Sequence, residues 1–268
     1  MKLLITGAAG HIGRALRGGL ADRYDLIRLA DIAAQSPAGP GEECIRADLA
    51  DINAAITACE GIDCVVHLVG IPLEPAENAW EQLLPVNIVS TYNVFEGARR
   101  AGVRRIVYAS SNHVVGFYRR EQVAGPDALP RPDTLYGVSK VFGEALGRLY
   151  ADKHGMSVAC LRIGSFRQAP EDRRQLATWI SPGDTVQLFQ RAIEAPDFHF
   201  FTAYGVSDNE GTLWSNEGLE WFGYAPQDRS DPNAPAMRNA PKETSLSKMF
   251  HGGSYCEQGF TGDPARID

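Results

Sequence analysis

Tyr136 and Lys140 stand one helical turn apart in Tyr136-Gly137-Val138-Ser139-Lys140, a spacing suited to removing a hydroxyl proton while a hydride leaves the same carbon. Such a step needs a base, and a free tyrosine, with a pKa of about 10, is a poor one near neutrality. A lysine four residues on shares the helix face, where its ammonium favours the phenolate and can also reach a ribose hydroxyl of a cofactor. Ser111 closes a strand that ends Ser110-Ser111. At the C-terminal end of a strand in an open α/β sheet, where ligands bind, it can hydrogen-bond the substrate oxygen and stabilise developing charge. Taken singly, these are an amphipathic helix surface and a serine capping a turn. Their joint placement, in that order, points to a catalytic set of Tyr136, Lys140 and Ser111.

Ahead of them the chain carries Gly7-Ala8-Ala9-Gly10-His11-Ile12-Gly13 between an apolar strand and a helix. Glycines there let backbone amides and the helix N-terminus approach a pyrophosphate that side chains would obstruct. The spacing is three and three, unlike the two-then-three of the commonest dinucleotide fingerprint. Asp31 strengthens the case: it ends the second strand, 18 residues after Gly13, where a carboxylate can accept both ribose hydroxyls of an adenosine and repel a 2′-phosphate. Ile32 follows, not the arginine that NADP would favour, so NAD is the expected cofactor.

The elements that must position these groups alternate. Residues 2–6 read as a buried strand and 11–22 as a helix. Short apolar strands follow near 25–30, 43–46, 63–69 and 105–109, with helical stretches near 51–59 and 79–101. A helix over 134–153, with Val138, Phe142, Ala145 and Leu149 spaced to pack inward, leads to a strand at 157–163. Alternation of this kind predicts an α/β fold, a doubly wound parallel Rossmann sheet. The expected organisation is an NAD-binding core over 1–165 that carries the catalytic residues, and a small irregular substrate-binding portion with a tail over 166–268, packed on the same domain. Ser181-Pro182-Gly183-Asp184 starts one more helix. From 225 onward Pro226, Pro232, Pro235, Pro241 and Pro264 mark an extended, surface-hugging tail.

Composition narrows the function classes. With 268 residues, 44% of them hydrophobic, and a net charge of −7, the chain has ample core and no basic stripe for phosphates, so nucleic acid is not an expected partner. No apolar run approaches the roughly 18 residues of a membrane span, and no signal-peptide pattern appears. The expectation is a soluble cytoplasmic protein. Five cysteines, mostly within apolar segments and without a Cys-x-x-Cys, suit reduced thiols, and no histidine spacing suggests a metal. Self-association into a homo-oligomer is left open.

The glycine turn, Asp31, Asp48-Leu49, Ser110-Ser111 and the Tyr136/Lys140 pair resemble the extended short-chain dehydrogenase/reductase superfamily, which includes nucleotide-sugar epimerases and dehydratases, over residues 1 to about 165. By that resemblance Gly7, Gly10, His11, Ile12 and Gly13 hold the pyrophosphate, Asp31 the ribose, Asp48 and Leu49 the adenine, Leu68 and Gly70 the middle of the cofactor, and Tyr136 is the base. The chain then departs from the nucleotide-sugar enzymes. It reads Ser111-Asn112-His113-Val114-Val115-Gly116 after its serines and Arg162-Ile163-Gly164-Ser165-Phe166 after its sixth strand, and its C-terminal portion is short for enclosing a nucleoside diphosphate and a sugar.

A smaller, free substrate fits better. Past the sixth strand Arg173 and Arg174 supply basic side chains, and an arginine fork suits a carboxylate because two parallel donors meet both oxygens. Ser-Ser-Asn-His, Arg-Ile-Gly-Ser and Arg174-x-Leu-x-Thr-Trp179 resemble the uronate dehydrogenases over essentially the whole chain. This resemblance implies NAD-dependent oxidation of galacturonate or glucuronate at the anomeric hydroxyl to an aldarolactone. Ser111, Asn112, His113, Ser165 and Arg174 would contact the sugar acid, His113 as a hydrogen-bond donor, with Phe166 near the nicotinamide. Two rivals are a nucleotide-sugar epimerase or dehydratase that never releases NADH, and a non-catalytic protein that senses nicotinamide redox state.

Overall fold

The structure, a computed structural model, describes residues 1–240 and 242–268. Pro241 lies outside the described residues. Seven parallel strands form one sheet in the order β3-β2-β1-β4-β5-β6-β9: β1 Lys2–Thr6, β2 Leu26–Asp31, β3 Glu42–Arg46, β4 Cys64–His67, β5 Arg105–Ser111, β6 Ser157–Ile163 and β9 Phe200–Gly205. Two short strands, β7 (Ser165–Phe166) and β8 (Trp179–Ile180), pair beside it. Leu3, Leu4 and Ile5 of β1 are wholly buried, as a central strand covered on both faces requires. Helices α1 (His11–Gly19) and α7 (Pro182–Glu194) pack together on one face; α2 (Ile52–Cys59), α4 (Ser90–Ala101) and α5 (Leu135–His154) cover the other.

The chain runs outward from β1 through β2 to β3, then returns to β4 on the other side of β1. The strand order therefore reverses between β1 and β4, and the crevice beyond their C-terminal ends is where an open α/β sheet takes its ligand.

Three sequence expectations are corrected. The sheet does not stop at residue 163: α7, capped by Ser181 Oγ accepting from the Asp184 amide at 2.9 Å, delivers β9 to the edge of β6. Alternation weakened only because residues 164–181 interpose small irregular pieces, among them α6 (Gln175–Thr178). The single helix expected over 79–101 is broken into α3 (Ala79–Leu83), a π-helical turn Leu84–Val89, and α4. Pro85 inside that stretch has no amide to donate, so the ladder slips to a wider turn.

The third correction concerns α5. Val138 and Leu149 are 43% and 49% exposed, so the apolar stripe read as inward faces out. The buried face carries Tyr136, Lys140, Gly143, Glu144, Gly147 and Tyr150. Glycines let it lie close: a Cβ on Gly143 would stand 2.2 Å from the ring of Tyr108 on β5, and one on Gly147 2.9 Å from Val158 on β6. Glu144 then meets Arg162 of β6 in a two-pronged pair, Nε to Oε1 and Nη2 to Oε2, both at 2.9 Å. Ser110 Oγ donates to the same Oε1 at 2.6 Å, and Arg162 Nη1 donates to Tyr204 Oη of β9 at 3.0 Å.

The residues after 225 do not form a separate layer. Arg120 N donates to Met249 O and His251 N to Tyr118 O, so this stretch lies along 116–122 like an added strand. Buried Phe250 and His251 anchor it: Trp214 Nε1 donates to His251 Nδ1 at 3.2 Å, and His251 Nε2 donates to Gln122 O at 2.9 Å. The guanidinium of Arg119 holds the carbonyls of Pro264 and Ile267. Among the described residues no helix is long and apolar enough to cross a membrane, and all five cysteines are unpaired.

Removing one partner of a buried, hydrogen-bonded ion pair leaves the other charge stranded, at a cost of about 3–5 kcal/mol. Arg162→Met should therefore destabilise the fold by that amount, while the double change Arg162→Met/Glu144→Leu should recover most of it. Urea denaturation of the three proteins checks this.

Candidate active site

The dinucleotide side is built at the turn from β1 into α1. Gly7 has φ +70, and a Cβ there would lie 3.0 Å from Val69 N and 3.1 Å from the Leu68 carbonyl carbon, where β4 exits. Only glycine suits both the left-handed backbone and the approach. A Cβ on Gly13 would meet Ala8 and the Gly7 carbonyl at 2.6 Å. Gly10 caps α1 without a side-chain bond, so the first-turn amides stay available to an anion. These features fit a pyrophosphate cradle. Asp31 Oδ2 accepts from the Ala9 amide at 2.9 Å and Oδ1 from the Ala33 amide at 2.8 Å, which holds the carboxylate beside the turn at the end of β2. Farther along the same edge, Asp48 is exposed, Leu49 is buried, and Leu68 and Gly70 are half-buried; His11 is exposed and Ile12 half-buried on α1.

The catalytic candidates meet across β5 and α5. Thr134 Oγ1 caps α5 by accepting from the Gly137 amide at 3.0 Å. A Cβ on Gly137 would stand 2.6 Å from the His113 carbonyl, so this glycine lets the first turn of α5 reach the Ser111 to Val115 segment. Burial pushes the Tyr136 phenol up to about 12, the neighbouring Ser111 hydroxyl pulls the other way, and Tyr255 and Asp133 push it further up.

Lys140 Nζ donates to Ala109 O at 2.8 Å and lies 5.7 Å from the centre of the Tyr136 ring. Burial brings its ammonium down to about 8. A Cβ on Gly70 would be 3.3 Å from Nζ, which puts the expected cofactor path directly against the lysine.

The substrate-side candidates also converge. Arg174 opens α6 and is buried, not solvated as a charge run usually is. Its Nε donates to the His251 carbonyl at 2.7 Å. With the Asn112 amide oriented to satisfy its neighbours, Asn112 donates to Ile163 O at 3.0 Å and accepts from Arg174 Nη2 at 2.7 Å. Burial lowers the Arg174 guanidinium from its ordinary value, against the pull of Asp133. Ser165 Oγ shares a hydrogen bond with Thr178 Oγ1 at 3.0 Å, and Phe166 sits half-buried beside it on β7.

Four groups escaped sequence reasoning. Asn87, in the π-helical turn, binds both backbone groups of Ile71 (2.8 and 3.2 Å) and Ser139 Oγ (3.0 Å), so it ties the 68–71 loop to α5. A polar residue amid Val86 and Ile88 was its one visible signal. Asp133 pairs with His113 at 2.7 Å. Tyr255 stacks on His113 with ring centres 3.9 Å apart. Gly253, at φ +63, gives Arg174 its path: a Cβ there would be 2.4 Å from Arg174 Cδ. The last two belong to the tail and had no local signal. Among the described residues no cluster of three metal-ligating side chains occurs.

This arrangement can remove a proton beside a dinucleotide and hold an anion across from it. The family model for NAD dependent epimerase/dehydratase proteins matches residues 3–197. The chain belongs to that family. Within the epimerase/dehydratase family it is similar to the uronate dehydrogenase of Pseudomonas putida, at 40% identity with 96% of each chain covered. Among solved structures, a mutant uronate dehydrogenase from Agrobacterium tumefaciens complexed with NAD superposes with a TM-score of 0.90 at 41% identity, covering 96% of this chain and 97% of the other. A glucuronic acid dehydrogenase from Chromohalobacter salexigens also gives 0.90, at 36% identity over 99% and 98%.

Two expectations follow. Gly253→Ala should drive Arg174 off its carbonyl anchor, lowering turnover on the order of 10²-fold while leaving dinucleotide affinity unchanged in a fluorescence titration; intact turnover would mean that Arg174 tolerates the shift. The second concerns Lys140. An unfolded lysine keeps its proton to 10.5, the folded one only to about 8, so between those values the unfolded chain binds the extra proton and this group's contribution to stability rises with pH. Below about 8 the buried ammonium is a cost on the order of 3 kcal/mol. Lys140→Met should thus be stabilising near neutrality, with the gain over wild type fading toward pH 10.5 in urea melts; a gain that did not change with pH would assign it to packing.

Proposed function

We propose that the protein oxidises a free uronic acid, D-galacturonate or D-glucuronate, at the anomeric hydroxyl to the aldarolactone, with NAD as oxidant. The observation that carries this reading is Arg174. A buried guanidinium pinned at Nε by His251 O and at Nη2 by Asn112 is preset to offer its remaining donors to a carboxylate. Burying a cation is costly unless an anion meets it. The full-length similarity to uronate dehydrogenases supports the same substrate class.

In this reading Tyr136 removes the anomeric hydroxyl proton, Ser111 donates to the same oxygen, and Lys140 supplies positive charge beside both. NAD, when bound, accepts the hydride. The high intrinsic pKa of buried Tyr136 means that it acts only where positive charge favours the phenolate. Gly7, Gly10, His11, Ile12 and Gly13 would hold the pyrophosphate. Asp31 would hold the adenosine ribose, and its carboxylate would disfavour NADP. Asp48 and Leu49 would flank the adenine, Leu68, Gly70 and Phe166 the nicotinamide half. Ser165 and Asn112 would line the sugar pocket. Five unpaired thiols and a nicotinamide-dependent reaction suit a cytoplasmic location.

An absorbance assay for NADH on uronic acids, neutral aldoses and UDP-sugars tests the proposal. Galacturonate or glucuronate should be oxidised with NADH released, much faster with NAD than with NADP. Arg174→Ala should lower kcat/KM on the uronate about 30- to 5000-fold and barely change the poor rate on neutral galactose, with Arg174→Lys intermediate. Equal fractional losses on both sugars would assign Arg174 to the fold, and release of NADH from a UDP-sugar alone would replace the substrate class. Tyr136→Phe should cost 10²- to 10⁴-fold in kcat, a range of about that size being typical of a general base.

A further inference from the structure

The His113 ring is held on three sides, on two of them by groups that the reaction itself does not call for. Asp133 Oδ2 lies 2.7 Å from Nδ1, with the Asp133 side chain fully buried. Tyr255 stacks on one face at 3.9 Å and 27°, and the Tyr136 ring stands edge-on at 5.9 Å. The room for the carboxylate is made by two glycines from distant segments: a Cβ on Gly116 would fall 1.9 Å from Asp133 Oδ2, and one on Gly252 2.0 Å from it. Gly252 N in turn donates to Gly116 O at 2.8 Å, so tail and loop close around the acid together. The other carboxylate oxygen accepts from Thr134 Oγ1 at 3.1 Å, and its charge is felt by the Arg174 guanidinium.

We propose that Asp133 is a positioning residue that acts through His113: it keeps a proton on Nδ1, so that the neutral ring turns an unprotonated Nε2 to the substrate and accepts a hydrogen bond from a sugar hydroxyl. An ionised carboxylate can only accept, so the shared hydrogen must come from the ring. A neutral imidazole has one N–H, so a proton held at Nδ1 by Asp133 leaves Nε2 bare. On this proposal His113 takes an acceptor role in place of the donor role expected from sequence. An acceptor held rigidly against a hydroxyl discriminates strongly, because a substrate lacking that hydroxyl leaves the buried nitrogen unpaired. Asp133 and Arg174 thus read different parts of the sugar acid, the hydroxyl pattern and the carboxylate. The substrate half of this claim rests on the uronate reading; the tautomer does not.

Two measurements test it. Ring ¹⁵N shifts of His113, assigned by their loss in His113→Gln and recorded at about pH 8, well above the ordinary histidine pKa of about 6.5, should show Nδ1 protonated and Nε2 bare. A protonated Nε2 in the wild type would overturn the proposal with no variant needed. Asp133→Asn should reverse the tautomer: Thr134 already donates at Oδ1, so the amide oxygen settles there and its NH₂ faces the ring. That variant should lose about ten- to hundredfold in kcat/KM on galacturonate, with NAD affinity intact. In a His113→Gln background the same change should cost less than about threefold. Equal losses in both backgrounds would make Asp133 a structural residue and sink the idea. If the wild type oxidises no uronic acid, the substrate assignment falls while the ¹⁵N result still decides the tautomer.

Discussion

The close approach of α5 to the sheet governs most of what this molecule can do. Gly143 sets the helix on the ring of Tyr108 and Gly147 sets it on Val158, at separations that no larger residue would permit. At that distance the buried face is not a plain apolar stripe. It takes Tyr136, Lys140 and Glu144 instead, each of which then needs a partner: Ser111, the Ala109 carbonyl, and Arg162 with Ser110. Buried polar groups must be satisfied, and a fully satisfied network fixes one arrangement. Precise placement of the phenol against the end of β5 thus comes from the same contact that stabilises the sheet edge through Arg162 and Tyr204.

A lysine kept in that face is a burden to folding, as its lowered proton affinity shows. It stands between the Tyr136 ring and Gly70, where the proposed reaction would use its charge. The stability forgone is the usual exchange at sites where chemistry needs a charge that the core would reject.

How far the site was legible in the sequence follows from where each part gets its order. The Gly7 to Gly13 turn and Asp31 are local devices, a left-handed glycine and a strand-end carboxylate bonded within the same loop cluster, and local spacing announces them. The strands of 1–163 were legible for the same reason, each being a short apolar run. The inward face of α5 was misread because hydrophobic periodicity assumes that the core side of a helix is apolar, whereas here it holds the chemistry and the glycines, and Val138 and Leu149 face outward. The partners that His113 and Arg174 take from the tail lay beyond reach. Tyr255, Gly253 and the His251 carbonyl come from more than 70 residues downstream of Arg174, in a stretch without regular periodicity whose placement depends on the 116–122 loop it lies along.

That last dependence divides the molecule along the chain as well as in space. The Gly7 turn, the Asp31 carboxylate and the Tyr136 face of α5 all lie within residues 1–163, whereas the wall that seats Arg174 and stacks on His113 is made from residues 251–255. Under the uronate reading, redox chemistry and substrate discrimination thus draw on different stretches of the chain. A lineage could exchange the segment around 251–255, and with it, under that reading, the sugar that is recognised, without disturbing the Gly7 turn or the Tyr136 face.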